Sequence, residues 1–228
     1  MMKLINADCL EAMRDIPDGS VDAVICDPPY GTTACKWDTV IPFEPMWEQL
    51  KRITKKNGAI VLTASQPFTS ALIMSNVKVF KYCWVWKKNR ATGFANAKKQ
   101  PLRSIEDVVV FSNGGGALSY HPQGLTRIDK AMRNSASVGG DSVRGNTKES
   151  SGKGGLRTGG KNYVQEFTGY PTQFIEFKTA SKTIHPTQKP VALMEYLIKT
   201  YTNQGETVLD FTMGSGTTGV ACKNLGRS

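Results

Sequence analysis

The stretch that most restricts what this chain can fold into is VDAVICDPPYGT, residues 21–32. Val21 to Cys26 is apolar except for Asp22, the length and character of a strand covered on both faces. Asp27 follows, then Pro28 and Pro29. A proline offers no N–H to a ladder and fixes its own φ, so the strand stops at Asp27 and the backbone behind it is stiff. A second run, AIVLTA at 59–64, has the same near-continuous apolar look. Strands of that kind need helices on both sides. The predicted class is therefore α/β, with a mainly parallel, doubly wound sheet.

The remaining elements fit that class. KLINA (3–7) reads as a short strand, and Asp8 can cap a helix running to about residue 16. Pro17-Asp18-Gly19 is a turn. PFEPMWEQLKRI (42–53) places Trp47, Leu50 and Ile53 at helical spacing and stops before Asn57-Gly58. A helix is expected over about 67–75, with strands at FKYCWVWK (80–87) and IEDVVVFS (105–112). PVALMEYLIKTYT (190–202) opens with Pro190 at a helix start and runs an amphipathic pattern. ETVLDF (206–211) reads as a strand, MGSG as a turn and TTGVACKNL (217–225) as a helix.

Between these parts the texture changes. Residues 113–160 hold twelve glycines, and 134–162 has only Val138, Val143 and Leu156 as sizeable apolar side chains. Such a segment cannot bury enough surface to offset its ordering entropy, so a mobile insertion is expected, partly ordered again over 163–183. The net charge of +10 suits a polyanionic partner. Seven of the basic residues fall in 81–103 with no acid among them, and Tyr82, Trp84, Trp86 and Phe94 are interleaved. Two readings fit that stretch: a nucleic-acid surface carrying Lys87, Lys88, Arg90, Lys98 and Lys99, or a solvated edge strand guarded by lysines. No apolar run approaches the roughly 18 residues of a membrane span. Asn6, Asp8 and Glu11 break any signal-peptide core, so a cytoplasmic location is expected. Five scattered cysteines without a C-x-x-C pair, and only two histidines, read as reduced thiols with no metal site.

Two motifs carry chemistry. VLDFTMGSGTTG (208–219) has Gly214, Gly216 and Gly219 as G-x-G-x-x-G between a strand and a helix. With only nine residues after Gly219, the second strand and distant acid of a dinucleotide site are missing. What remains is a strand ending in Asp210, glycines that admit a ligand to the backbone, and a helix amino terminus suited to a carboxylate. The other motif is Asp27-Pro28-Pro29-Tyr30. The Asp27 carboxylate and the Pro28 carbonyl are two acceptors at a fixed spacing, matching the two hydrogens of an exocyclic amine. Tyr30 offers a face for a base.

With those motifs in place, the sequence resembles the β-class of amino-group DNA methyltransferases that use S-adenosylmethionine. The resemblance rests on NADCLEAM at 6–13, DPPYGT at 27–32, HPTQKP at 185–190 and DFTMGSGTTG at 210–219. It implies a Rossmann-like methyltransferase fold, circularly permuted, with residues 1–112 as the half bearing the catalytic motif. Residues 113–183 would be the glycine-rich target-recognition insert, and 184–228 the cofactor half of the same domain. Asp27, Pro28, Pro29 and Tyr30 match the family's catalytic motif. Ala7 and Asp8 match its contact to the adenine end of the cofactor. Lys189 matches the lysine holding the methionine carboxylate, with Thr187 and His185 shaping that loop. Asp210, Phe211, Gly214, Ser215, Gly216 and Thr217 match the cofactor loop. Trp37 and Asp38 could line the base pocket. The family continues past this point of the chain into a strand with a ribose-binding acid.

The activity implied is methyl transfer to the N6 amine of adenine in double-stranded DNA. A homodimer and a cognate restriction endonuclease are the partners the resemblance brings with it. Cytosine-N4 methylation and a non-catalytic DNA-binding protein are the competing readings. Asp rather than serine at the head of DPPY favours adenine within the family.

Overall fold

The computed structural model describes residues 2–114, 116–134, 163–180, 183–185 and 187–228. The stretch expected to be mobile, 134–162, falls almost wholly outside them. The chain divides into two compact units, residues 1–121 with 172–228, and residues 122–171.

The larger unit is a six-stranded sheet between two layers of helices. Its elements are α1 (Cys9–Arg14), β1 (Val21–Cys26), α2 (Phe43–Ile53), β2 (Thr54–Ala64), α3 (Phe68–Ser75), β3 (Phe80–Thr92) and β4 (Arg103–Ser112). The smaller unit holds β5 (Thr126–Asn134) and β6 (Tyr163–Thr168), paired antiparallel. The larger unit resumes with β7 (Phe174–Phe177), α4 (Val191–Tyr201), β8 (Val208–Leu209) and α5 (Thr217–Leu225). The strand order is β7-β3-β4-β2-β1-β8. All neighbours run parallel except that β4 is antiparallel to both β2 and β3. The mostly parallel, Rossmann-like sheet expected from the sequence is therefore present, with one reversed strand near its middle.

Alternation along the strands sorts the core into two layers. Val24 and Cys26 of β1, Ile60 and Leu62 of β2, and Val109 and Phe111 of β4 meet Met13, Met46, Trp47, Leu50 and Leu72 from α1–α3. Ala23, Ile25, Ala59, Val61, Val108 and Val110 face the other way, onto Leu193, Leu197, Tyr201 and Ala221 from α4 and α5. Each large apolar side chain buried this way stabilises the fold by about 1.5–3 kcal/mol.

Several boundaries differ from the sequence reading. Residues 3–7 are not a strand, and Leu4 and Ile5 are exposed. Propensity makes a strand only where a partner ladder exists, and the edge strand β8 is two residues long. The helix stops at Ile53 as expected, but β2 begins at Thr54 rather than at residue 59, so Asn57-Gly58 lies inside the strand as an irregularity between the pairs Val21–Thr54 and Ala23–Ala59. A Cβ on Gly58 would stand 2.7 Å from the Asp22 carbonyl, so only glycine fits. β7 lies inside the region read as an insert yet pairs with β3 in the main sheet. Among the described residues no helix is long and apolar enough to cross a membrane.

Candidate active site

β1 delivers Asp27 to the carboxyl end of the sheet, where open α/β sheets place their ligands. Three side chains distant in sequence converge on its carboxylate. Tyr30 Oη donates to Oδ1 at 2.8 Å, and the Thr63 hydroxyl, from the end of β2, donates to the same oxygen. Lys189 Nζ, just before α4, lies 2.8 Å from Oδ1 and 2.9 Å from Oδ2. The Lys189 side chain is only 7 % exposed. Burial lowers its pKa, but the charges of Asp27 and Glu106 outweigh burial, so the ammonium is held above its ordinary value.

Glu106 extends the cluster. Its Oε2 lies 3.4 Å from Lys189 Nζ, and its Oε1 lies 3.1 Å from Lys88 Nζ. Glu106 sits at the start of β4. Because β4 is reversed, its start shares an edge of the sheet with the ends of β1 and β2.

The loop behind Asp27 is fixed by one carboxylate. Asp38 Oδ1 accepts from the backbone N–H of Tyr30 (2.8 Å) and Gly31 (2.9 Å); Oδ2 accepts from those of Thr32 (2.9 Å) and Thr33 (2.7 Å). Partial desolvation raises the Asp38 pKa, but the bonds from Thr33, Gly31 and Thr32 prevail and hold it below the ordinary carboxylate range. Tyr30 stacks on Phe68 with ring centres 5.2 Å apart, and Lys189 Nζ lies over the Tyr30 ring at 5.4 Å. Burial, then the charges of Asp27 and Glu106, push the Tyr30 phenol up, so it stays a donor.

The glycine turn follows β8. Gly214 and Gly216 take φ of 48° and 74°, a region open to glycine. Ser215 and Thr217 hydroxyls meet at 3.0 Å at the start of α5. Thr212 ties this turn to the other motif: its hydroxyl donates to the Asp27 carbonyl at 3.1 Å and lies 2.8 Å from Cys26 Sγ, while its N–H donates to Asp210 Oδ1 at 3.1 Å. Burial raises the Asp210 pKa, opposed by hydrogen bonds from Thr218, Cys26 and Thr212, with Asp27 adding repulsion.

The other expected cofactor residues are placed less uniformly. Asp8 caps α1, accepting from Leu10 and Glu11 N–H. Ala7 precedes it in an exposed segment that passes α5, where Met2 Sδ would lie 3.5 Å from a Cβ on Gly219. Phe211 packs into the core beside α1–α3. Thr187 is bound to His185 Nδ1 at 3.1 Å, and the His185 ring lies 4.9 Å from that of Trp37.

The basic stretch 81–103 needs two corrections. Trp84 and Trp86 are no stacking platform. They face the α4 layer, where Trp84 Nε1 donates to Tyr201 Oη (2.7 Å) and Trp86 Nε1 to the Phe177 carbonyl (2.9 Å). Strand alternation turned the tryptophans inward. Lys88 goes with them: its side chain is 8 % exposed and spent on Glu106, so it is not part of a DNA-facing surface. Lys87, Arg90, Lys98, Lys99 and Phe94 are exposed, Lys87 paired with Glu176. Thr63, Phe68, Glu106 and Thr212 were not singled out from the sequence. Thr212 lies inside a recognised motif, and Glu106 is an acid abutting a buried strand, so both left some trace there.

Comparison with known proteins returns one consistent picture. A family model described as DNA methylase, of the N6/N4 type, matches residues 21–228. The type II methyltransferase M.HpaI of Haemophilus parainfluenzae is 25 % identical over 99 % of this chain and 68 % of its own length. M1.MboII of Moraxella bovis is 25 % identical over 99 % of this chain and 89 % of its own. Among solved structures, the M1.HpyAVI–SAM complex superposes with a TM-score of 0.63 at 25 % identity, covering 100 % of this chain and 91 % of that one. The cytosine-N4-specific PvuII DNA methyltransferase reaches 0.62 at 13 % identity over 97 % of this chain and 78 % of its own, a likeness of fold.

Proposed function

The chain belongs to the N6/N4 DNA methylase family, and from that premise we propose that it methylates the exocyclic N6 amine of adenine in double-stranded DNA, using S-adenosylmethionine. The observation that carries this reading is Asp27: a carboxylate fixed at the end of β1 by Tyr30 and Thr63, and tied through Thr212 to the glycine turn after β8.

The residues present suit the cofactor. The left-handed glycines Gly214 and Gly216 leave the backbone bare at the head of α5. Asp210, Phe211, Gly214, Ser215, Gly216 and Thr217 would hold it there, with Ala7, Asp8 and Thr187 at its two ends; Lys189, expected on the methionine carboxylate, is instead engaged by Asp27 and Glu106. When bound it supplies an electrophilic methyl group on a sulfonium.

The chain's own residues do the rest. A base extruded from the duplex would stack on Tyr30 and donate its two amine hydrogens to Asp27 and the Pro28 carbonyl. An aromatic amine is a poor nucleophile because its lone pair is delocalised into the ring. Two acceptors drawing on its hydrogens favour a pyramidal nitrogen with the lone pair exposed towards the methyl. Positioning and charge supply the acceleration. Lys87, Arg90, Lys98 and Lys99 are the proposed phosphate contacts. A homodimer, and a restriction endonuclease of the same recognition site, are its proposed partners.

Tritium transfer from labelled cofactor to unmethylated genomic DNA tests the reading, followed by mass spectrometry of the digested nucleosides. N6-methyl-2′-deoxyadenosine is expected. N4-methyl-2′-deoxycytidine would move the target to cytosine, and no incorporation would sink the assignment.

A further inference from the structure

Asp27 is crowded. Tyr30 and Thr63 both donate to Oδ1, and the Lys189 ammonium sits against both oxygens. A carboxylate has about four lone-pair sites, and the oxygen left for a target amine is the one Lys189 holds. An ammonium there also opposes positive charge developing on an amine nitrogen during transfer. The same ammonium lies over the Tyr30 ring, where a stacked base would go.

The way out is already built. Glu106 Oε2 is buried and accepts no hydrogen bond among the described residues, although it stands 3.4 Å from Lys189 Nζ. Its ion pair with Lys189 is longer than the 2.8 and 2.9 Å contacts that Lys189 makes with Asp27, so this oxygen can still take the ammonium fully. Lys88 pins the other oxygen of Glu106 at 3.1 Å and so aims Oε2 at Lys189. Two acids and two lysines make the cluster formally neutral. Moving the ammonium between the acids changes no net charge.

We propose that Glu106 is a positioning residue that takes the Lys189 ammonium from Asp27 when the target amine arrives. In the free protein Lys189 caps Asp27 and keeps the acid in place. When the amine donates to Oδ2, Lys189 moves onto Glu106 Oε2, still paired and still buried. Glu106 acts through Lys189 and touches neither base nor cofactor. The proposal rests on the methyltransferase reading above.

The test is single-turnover methylation of a random-sequence duplex pool at saturating cofactor, on the full chain. Glu106→Gln removes the charge that receives the ammonium. Its transfer rate should fall roughly 10–100-fold, the scale on which misplacing a reacting group acts. Cofactor and DNA affinities by calorimetry should stay within about threefold, as expected for a group that touches neither. In a Lys189→Met background the same substitution should have less than about a twofold effect, because its target is gone. Should Glu106→Gln not fold, Glu106→Asp keeps the charge and shortens the reach, and its loss of rate should also vanish in Lys189→Met. An unchanged rate in Glu106→Gln overturns the proposal and leaves the enzyme assignment standing. So does a weakened cofactor affinity with the saturated rate retained, which would place Glu106 in cofactor binding. Independent, multiplying effects of the two substitutions overturn it too. A wild-type chain that methylates nothing sinks both readings.

Discussion

The tips of β1 and β8 lie side by side at one edge of the sheet and are built in opposite ways. At the β1 tip, side chains over-determine the geometry: Asp27 accepts from Tyr30, Thr63 and Lys189, and Asp38 gathers four consecutive backbone N–H groups behind it. At the β8 tip the backbone itself is the feature, bent through left-handed glycines that carry no side chain to fill the space. The first arrangement suits a group that must meet a reacting atom in one orientation. The second suits a molecule that lies against the chain. A methyltransferase needs both, because acceptor and donor must be set independently and then held in line.

Asp27→Asn should have the largest effect. It keeps the shape and removes the charge that Lys189, Thr63 and Tyr30 surround. Transfer should drop by roughly 10²–10³-fold, the usual cost of removing one electrostatic group at a reacting centre. Cofactor affinity should hold. A variant that loses cofactor instead would mean that the two tips are not separate devices.

Asp38→Asn comes next. It keeps one acceptor oxygen for four N–H groups and discards the charge. Tyr30 then loses its fixed backbone, and transfer should fall about tenfold or more, since small displacements near the chemistry are expensive. The pH dependence has a definite sign. The Asp38 pKa is lowered in the folded protein, so its contribution is fully present above the ordinary aspartate value of about 4 and is lost as pH falls through the lower folded value. Hydrogen exchange of the Tyr30, Gly31, Thr32 and Thr33 amides should accelerate across that acid window in the parent. In Asp38→Asn they should exchange fast at every pH. Protection that survives the substitution would show that the prolines alone hold the loop.

Gly216→Ala probes the other tip. At φ 74° an alanine costs about 1–2 kcal/mol, and a Cβ there would only touch the Met213 methyl at 3.4 Å. Cofactor affinity should weaken by about tenfold, the equivalent of that strain, as the turn relaxes. The saturated transfer rate should change little. A fall in rate at unchanged affinity would reverse the roles assigned to the two tips.

Both motifs were legible in the sequence because each is local: a buried strand, a carboxylate, and then prolines or glycines. The wiring between them was not. Lys189 and Asp27 are 162 positions apart, and no periodicity links them. Glu106 is the instructive case. With all strands taken as parallel, an acid at the start of β4 would fall at the opposite edge of the sheet from Asp27. The reversal of β4 brings it to the same edge; the only trace of it between 80 and 112 is that no α-helix separates β3 from β4. Trp84 and Trp86 failed for a related reason. Interleaved lysines and aromatics look alike whether the aromatic face is wet or covered, and only the packing of α4 decides.

The smallest effect should come from a side chain that joins the two tips. Thr212→Val keeps shape and volume but removes the hydroxyl that donates to the Asp27 carbonyl and meets Cys26 Sγ. The carbonyl loses a partner in a partly buried place, at a cost of about 1 kcal/mol to stability. If each tip is held chiefly by its own contacts, thermal unfolding should show that loss while rate and cofactor affinity each shift less than about threefold. The Asp27 network of Tyr30, Thr63 and Lys189 survives the change, and so do the glycine conformations. A drop in both functions far beyond the stability loss would make Thr212 the coupling between acceptor and cradle. The two strand ends would then have to be treated as one device.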